Sequence, residues 1–301
     1  PKEKIIPILV SASNFKAVEK IMKDHNIEVL YHAAAYKHVP LVESNPLEGL
    51  YNNIFTTKTI CEVAEKLSIK EITLLSSDKA VRPTSIMGVS KRISELIFQA
   101  YSEKVSHNSY SKSKFSMVRF GNVLGSSGSV VPLFKEQIAL GGPVSITHRD
   151  ITRYFMTIPE AAQLVLQASY LSQGGEIFLL DMGEPVKIFD LAVQMINLSG
   201  KNLKNEDNPD GDIDIIFTGL RPGEKLYEEL LIDAKSHSTI HPLIFKANEN
   251  FIHFDELIPI LNDLEEKIFS FDLENTLLIL KKLVPEWNTQ NSIIAKENIN
   301  K

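Results

Sequence analysis

Ser76-Ser77-Asp78-Lys79 sets two hydroxyls, a carboxylate and an amine side by side, and Met87-Gly88-Val89-Ser90-Lys91 follows shortly after. A carboxyl next to an amine can serve as general acid and general base. Met87 and Lys91 stand four apart, so on a helix they share a face. That face starts beside the end of the Asp78 segment, and acid, base and anchoring lysine converge on one crevice. Either lysine taken alone reads as a solvated surface residue.

Two further segments also follow an apolar run. In His32-Ala33-Ala34-Ala35-Tyr36-Lys37-His38, consecutive alanines would let a flat ligand lie against the backbone, or a helix pack tightly on a strand. Phe120-Gly121-Asn122-Val123-Leu124-Gly125-Ser126-Ser127-Gly128 superficially matches a glycine-rich dinucleotide loop. Such a loop belongs in the first βαβ unit with an acidic residue about 20 positions on. Here three strands precede it, so it reads as a flexible substrate-facing loop. Arg153, in Thr152-Arg153-Tyr154, and Arg221, in Gly219-Leu220-Arg221-Pro222-Gly223-Glu224-Lys225, suit bidentate contact with a phosphate, or a surface salt bridge. His237 and His241 are spaced i, i+4 like metal ligands, but no third ligand supports them and no metal is expected.

These residues need a scaffold, and the apolar pattern supplies one. Ile5 to Val10 reads as a strand, Phe15 to Lys23 as a helix, and Glu28 to Ala35 as a buried strand. A long helix follows from Pro46, carrying Leu47, Leu50, Ile54, Ile60, Ala64 and Leu67 at helical spacing, with proline suited to its first turn. Strand 71–76, a helix from about Ser85 to Tyr101 and strand 115–120 complete an alternation typical of a parallel, doubly wound α/β sheet. In such sheets ligands bind beyond the carboxyl ends of the strands, where the three segments lie.

After Gly121 glycine, proline and shorter elements take over: helices near 131–140 and 159–171, a strand near 176–180, and a polar loop at 201–211. The division expected is a nucleotide-binding part over 1–130, a smaller substrate lobe over 131–245 that shares sheet elements with it, and a tail over 246–301. Two amphipathic stretches, 257–269 and 273–283, mark that tail.

The chain has 301 residues, 44% of them hydrophobic, enough to bury a core without staples. Its 32 Lys and Arg are scattered among 38 Asp and Glu, and the net charge of −6 argues against a nucleic-acid groove. One cysteine, Cys61, cannot form an internal disulfide, which favours a reducing, cytoplasmic location. No apolar run approaches the 18 or so residues that span a bilayer, so no membrane contact is expected of this segment. A full-length parent could still be tethered to an inner membrane.

Residues 32–43 (HAAAYKHVPLVE), 76–92 (SSDKAVRPTSIMGVSKR), 119–129 (RFGNVLGSSGS) and 219–229 (GLRPGEKLYEE) together resemble the polysaccharide-biosynthesis branch of the extended short-chain dehydrogenase/reductases. Within it they are similar to nucleotide-sugar 4,6-dehydratases acting on UDP-N-acetylglucosamine. The resemblance implies a Rossmann-like fold, a bound NAD, a UDP-sugar substrate and a homo-oligomer. It also implies a glycine-rich βαβ start; nothing like it precedes Ile5, about 60 residues by the size of such a unit, and Ser11 stands where an aspartate is common. Two other readings are a catalytically silent nucleotide-sugar binding fragment and a sugar epimerase or reductase of the same superfamily.

The implied reaction passes a hydride from C4 to NAD, loses water across C5 and C6, and returns the hydride to C6. Asp78 would protonate the departing C6 hydroxyl. Lys79 would remove the C5 proton, which needs its pKa lowered by burial under the bound sugar against the opposing pull of Asp78. Lys91 would hold the nicotinamide ribose, and Ser77 a sugar hydroxyl. Met87 stands where most of these enzymes have the tyrosine that accepts the C4 hydroxyl proton, and a thioether cannot. Ala33, Ala34, Ala35, Tyr36, Asn52, Ser76, Phe120 and Asn122 would line the cofactor with Lys91. Lys37, His38, Asn122, Val131, Arg153, Arg221 and Glu224 would meet the substrate.

Overall fold

The computed structural model describes residues 5–107, 113–229 and 236–289. Alternation along Lys114–Arg119 sets its architecture, because Phe115 and Met117 enter one apolar cluster while Val118 enters another on the opposite side. Ile177–Leu180 repeats the pattern, with Ile177 and Leu179 on the first side and Phe178 and Leu180 on the second. A strand buried on both faces needs helices on both, and these are Ile86–Ser106 with Thr56–Leu67 on one side and Ile158–Leu171 on the other.

The sheet runs Val29–His32, Glu71–Leu75, Lys114–Arg119, Ile177–Leu180, Ile244–Ala247, Ser236–Ser238. Its first four strands are parallel and the last two join antiparallel, giving a doubly wound sheet with an antiparallel edge. Two expectations fail at the opposite edge. Residues 5–10 form no strand, and their apolar side chains stand in solvent, Leu9 fully so. Strand backbone is stable only where a neighbour accepts its ladder bonds, and no described residue offers one there. Val29–His32 is likewise an edge strand, not a buried one: Val29 and Tyr31 are more than 40% exposed and only His32 is buried.

The rod from Pro46 to Leu67 is helical throughout but opens into one π-helical stretch at Tyr51–Phe55. A second lobe holds the parallel strands Leu203–Lys204, Ile213–Phe217 and Val144–Ile146. Helices Val130–Ala139 and Ile188–Leu198 cover them, around a core that includes Phe134, Ile138, Ile188 and Ile213. The tail helices Phe254–Phe269 and Leu273–Leu283 pack into the main core through Leu257, Leu261, Leu277 and Leu280, and Trp287 is buried beside them. No helix among the described residues is long and apolar enough to cross a membrane.

Candidate active site

Strand Glu71–Leu75 stops three residues before Asp78, and Asp78–Ala80 forms a single 3-10 turn capped by the Ser77 hydroxyl, which accepts from the Lys79 amide at 3.3 Å. This break solves a geometric problem. Neighbours on a regular strand point to opposite faces, whereas the turn lets Asp78 and Lys79 meet. Gly88 makes room for it: a Cβ there would lie 2.4 Å from the Lys79 carbonyl oxygen, so the first turn of the Ile86–Ser106 helix closes directly onto the loop. The Ser85 hydroxyl caps that helix by accepting from the Gly88 amide at 3.1 Å. The Glu43 carboxylate accepts from the Ile86 amide at 2.7 Å, a favourable placement for a negative charge at a helix N-terminus.

Asp78 is fully buried. Its Oδ1 accepts from the Ser77 hydroxyl at 2.7 Å and from the Lys79 amine at 3.0 Å, while Oδ2 has no hydrogen-bond partner among the described residues. Lys79 Nζ also donates to Asn122 Oδ1 at 3.3 Å and lies 3.5 Å from Glu228 Oε1. Burial works to lower the pKa of the Lys79 amine, but the Asp78 and Glu228 carboxylates outweigh it and the net direction is upward. The pull of Asp78 was expected; that of Glu228, which adds to it, was missed by sequence reasoning. Glu228 and Glu229 are adjacent and chemically alike in the sequence. Only the fold buries Glu228 and leaves Glu229 half exposed, paired with Arg82.

Met87 and Lys91 share one buried face of their helix, as their spacing required. Lys91 Nζ donates to the Leu75 carbonyl at 3.2 Å, and burial pulls its pKa down to about 8 against the opposing Glu95. Ser77, Lys79, Met87, Lys91, Phe120 and Asn122 line one cleft of about 490 Å³ between the two lobes. Ser76 does not, because its hydroxyl donates to the buried Glu95 carboxylate at 2.6 Å.

Ala33, Ala34 and Tyr36 lie exposed beyond the Val29–His32 strand end, with Ala35 half-buried. Their loop is fixed by Asn53 and not by Asn52. The Asn53 side chain accepts from the Tyr36 amide at 2.7 Å and donates to the Tyr36 carbonyl at 3.1 Å and to Ser90 Oγ at 2.9 Å. Both asparagines sit on the π-helical stretch, which displaces the helix register by one residue at this point; such insertions are frequent at functional sites.

The same cleft is lined by Lys37, His38, Arg153, Arg221 and Glu224. Gly128, at φ +67°, lies so close to His38 that a Cβ would fall 2.2 Å from the imidazole. Val130 lines the cleft where Val131 was expected. Arg153 also departs from expectation: Nη1 donates to the Thr152 and Leu226 carbonyls, and Nη2 to the Lys225 carbonyl at 2.8 Å and to Glu224 at 3.5 Å. With these donors taken inside the chain, Arg153 clamps the 224–228 segment, whereas Arg221 is exposed and lines the cleft. His237 is exposed, and among the described residues no His, Cys, Asp and Glu group could hold a metal.

A mostly parallel sheet, helices on both faces and polar residues gathered beyond the strand ends define a Rossmann-like fold with a second lobe. Solved structures agree. That of Pen from Bacillus thuringiensis matches with a TM-score of 0.72 at 30% identity, covering 87% of this chain and 82% of that one. DesIV of Streptomyces venezuelae, a dTDP-glucose 4,6-dehydratase solved with NAD bound, matches with a TM-score of 0.62 at 16% identity, covering 73% and 69%.

Residues 2–249 match the family described as polysaccharide biosynthesis protein, and the chain belongs to that family. The capsular polysaccharide biosynthesis protein CapD of Staphylococcus aureus is 47% identical over 92% of this chain. An inverting UDP-N-acetylglucosamine 4,6-dehydratase of Campylobacter jejuni is 34% identical over 71% of it. The chain spans only 44% of the former and 59% of the latter.

Proposed function

We propose that this chain carries the acid–base site of an NAD-dependent nucleotide-sugar 4,6-dehydratase that acts on UDP-N-acetylglucosamine for polysaccharide assembly. The observation that carries this reading is the pairing of the buried Asp78 carboxylate with the partly buried Lys79 amine, joined by a 3.0 Å hydrogen bond, with Lys79 lining a cleft between the lobes. An epimerase acting only at C4 has no use for an acid and a base over C5 and C6.

The residues present fit the nicotinamide end of NAD: an open alanine loop for a flat ring, and the buried Lys91 amine for ribose hydroxyls. The first glycine of the chain is Gly49, so the described residues supply no glycine-rich turn for the pyrophosphate. When bound, NAD supplies the hydride acceptor for C4 and the donor for C6.

The chain's own part is proton management. Moving one proton from Lys79 Nζ to Asp78 Oδ1 turns the resting ammonium–carboxylate pair into a carboxylic acid and a free amine, with no exchange with solvent. The acid then protonates the C6 hydroxyl as it leaves, and the amine takes the C5 proton. Lys79 later returns a proton to C5, which leaves the pair one proton short. That proton returns from solvent, in balance with the C4 hydroxyl proton given up earlier when C4 is oxidised, and Ser77 Oγ can accept from a sugar hydroxyl while donating to Asp78 Oδ1 across 2.7 Å. Met87 then needs no proton chemistry.

The test is to incubate the full-length protein with UDP-N-acetylglucosamine in deuterated water and follow the sugar by NMR. A 4-keto-6-deoxy product with deuterium at C5 is expected. Lys79→Met should abolish the C5 label, and Asp78→Asn should block water loss. Normal dehydration by Asp78→Asn would refute the assignment.

A further inference from the structure

Glu228 is a buried carboxylate held among three cations. Oε1 lies 3.5 Å from Lys79 Nζ and 3.8 Å from Arg153 Nε, and Oε2 lies 3.9 Å from Lys225 Nζ. Its side chain is 2% exposed, and Oε2 has no hydrogen-bond partner among the described residues. A buried carboxylate that served only to brace its own loop would be expected to accept full hydrogen bonds there. The loop is braced instead by Arg153, through the Leu226 and Lys225 carbonyls, and by Lys225, whose amine donates to the Val81 carbonyl at 2.6 Å.

We propose that Glu228 is a positioning residue for the acid–base pair: its carboxylate holds the Lys79 amine between itself and Asp78, so that the pair enters each turnover sharing one proton. The role is read on the dehydratase assignment above. Asp78 and Glu228 reach the amine from different elements, one from the 78–80 turn and one from the 224–228 segment of the second lobe, and Asn122 approaches from the loop after Lys114–Arg119. Arg153 and Lys225 are the other charges facing Glu228, and Arg153 also acts on Lys79 as a like charge. An acceptor from each lobe makes the state of Lys79 depend on how the two lobes meet.

The experiment measures Lys79 directly. Labelling of the full-length protein with acetic anhydride across a pH series, read by peptide mass spectrometry, gives the midpoint at which the Lys79 amine becomes reactive. In Glu228→Gln, which keeps size and removes charge, that midpoint should fall by about one pH unit or more, a tenfold rise in free amine. Glu228→Asp should recover part of the shift. The acid limb of the turnover profile should move in the same direction in Glu228→Gln, with KM changed less than kcat. An unchanged Lys79 midpoint in folded Glu228→Gln overturns the proposal. If the midpoint moves but the parent protein yields no 4-keto-6-deoxy product, the dehydratase reading falls and the control of Lys79 by Glu228 stands.

Discussion

Replacing Glu95 by glutamine should destabilise the protein more than any other conservative change near the cleft. The Glu95 carboxylate is completely buried and accepts from Ser76 Oγ at 2.6 Å, Arg119 Nε at 2.7 Å, Arg119 Nη2 at 2.6 Å and Arg92 Nη1 at 3.1 Å. Glutamine keeps the shape but removes the charge, and it points an N–H at a guanidinium. Arg119 retains Glu249, at 2.6 and 2.8 Å, and Arg92 retains Glu249 and Glu286, so both cations keep part of their compensation. Breaking a buried pair from one side costs about 3–5 kcal/mol. At roughly 2–4 °C per kcal/mol for a chain of this size, Tm at pH 7 should fall by about 10 °C.

The acid response fixes the sign. Burial works to raise the Glu95 pKa, but Arg119, Arg92 and the Ser76 hydroxyl overcome it and leave the folded value lowered. A lowered carboxylate contributes its stability above its unfolded pKa and loses it as pH falls through the folded one. The gap between wild type and Glu95→Gln should therefore be widest at neutral pH and narrow in acid. Thermal and urea denaturation at pH 7 and pH 4 test both points. A Tm loss under 2 °C at pH 7, or a gap that widens in acid, would refute the reasoning.

Two further outcomes concern the cleft. Met87→Leu is close in volume, so it should cost less than about 1.5 kcal/mol of stability and keep a large part of the turnover; a thousandfold loss with the fold intact would require a direct role for the thioether. Arg221→Ala removes the exposed cation of the cleft, and a charge-assisted contact is worth roughly 1.5–3 kcal/mol, so UDP affinity measured by calorimetry should fall by tens-fold, with unchanged affinity removing Arg221 from the site.

What the sequence made legible, and what it concealed, follows from how far each inference depended on partners. The helix carrying Met87 and Lys91 is set by its own period, and it formed where that period placed it. The break before Asp78 was needed by the chemistry, and the 3-10 turn supplies it. Residues 5–10 have the composition of a strand, yet strand formation requires a neighbour, which composition does not report. Ser76 and Ser77 are adjacent serines after one strand, but one hydroxyl is bound to Glu95 and the other lies in the cleft beside Asp78. The same ambiguity separates Arg153 from Arg221 and Glu228 from Glu229. In each pair the residue type names the chemistry available, and only the packing of the folded chain decides which member is enclosed. Proton control at Lys79 is thus a property of the junction between lobes, contributed by an acid about 150 residues along the chain from the base it holds.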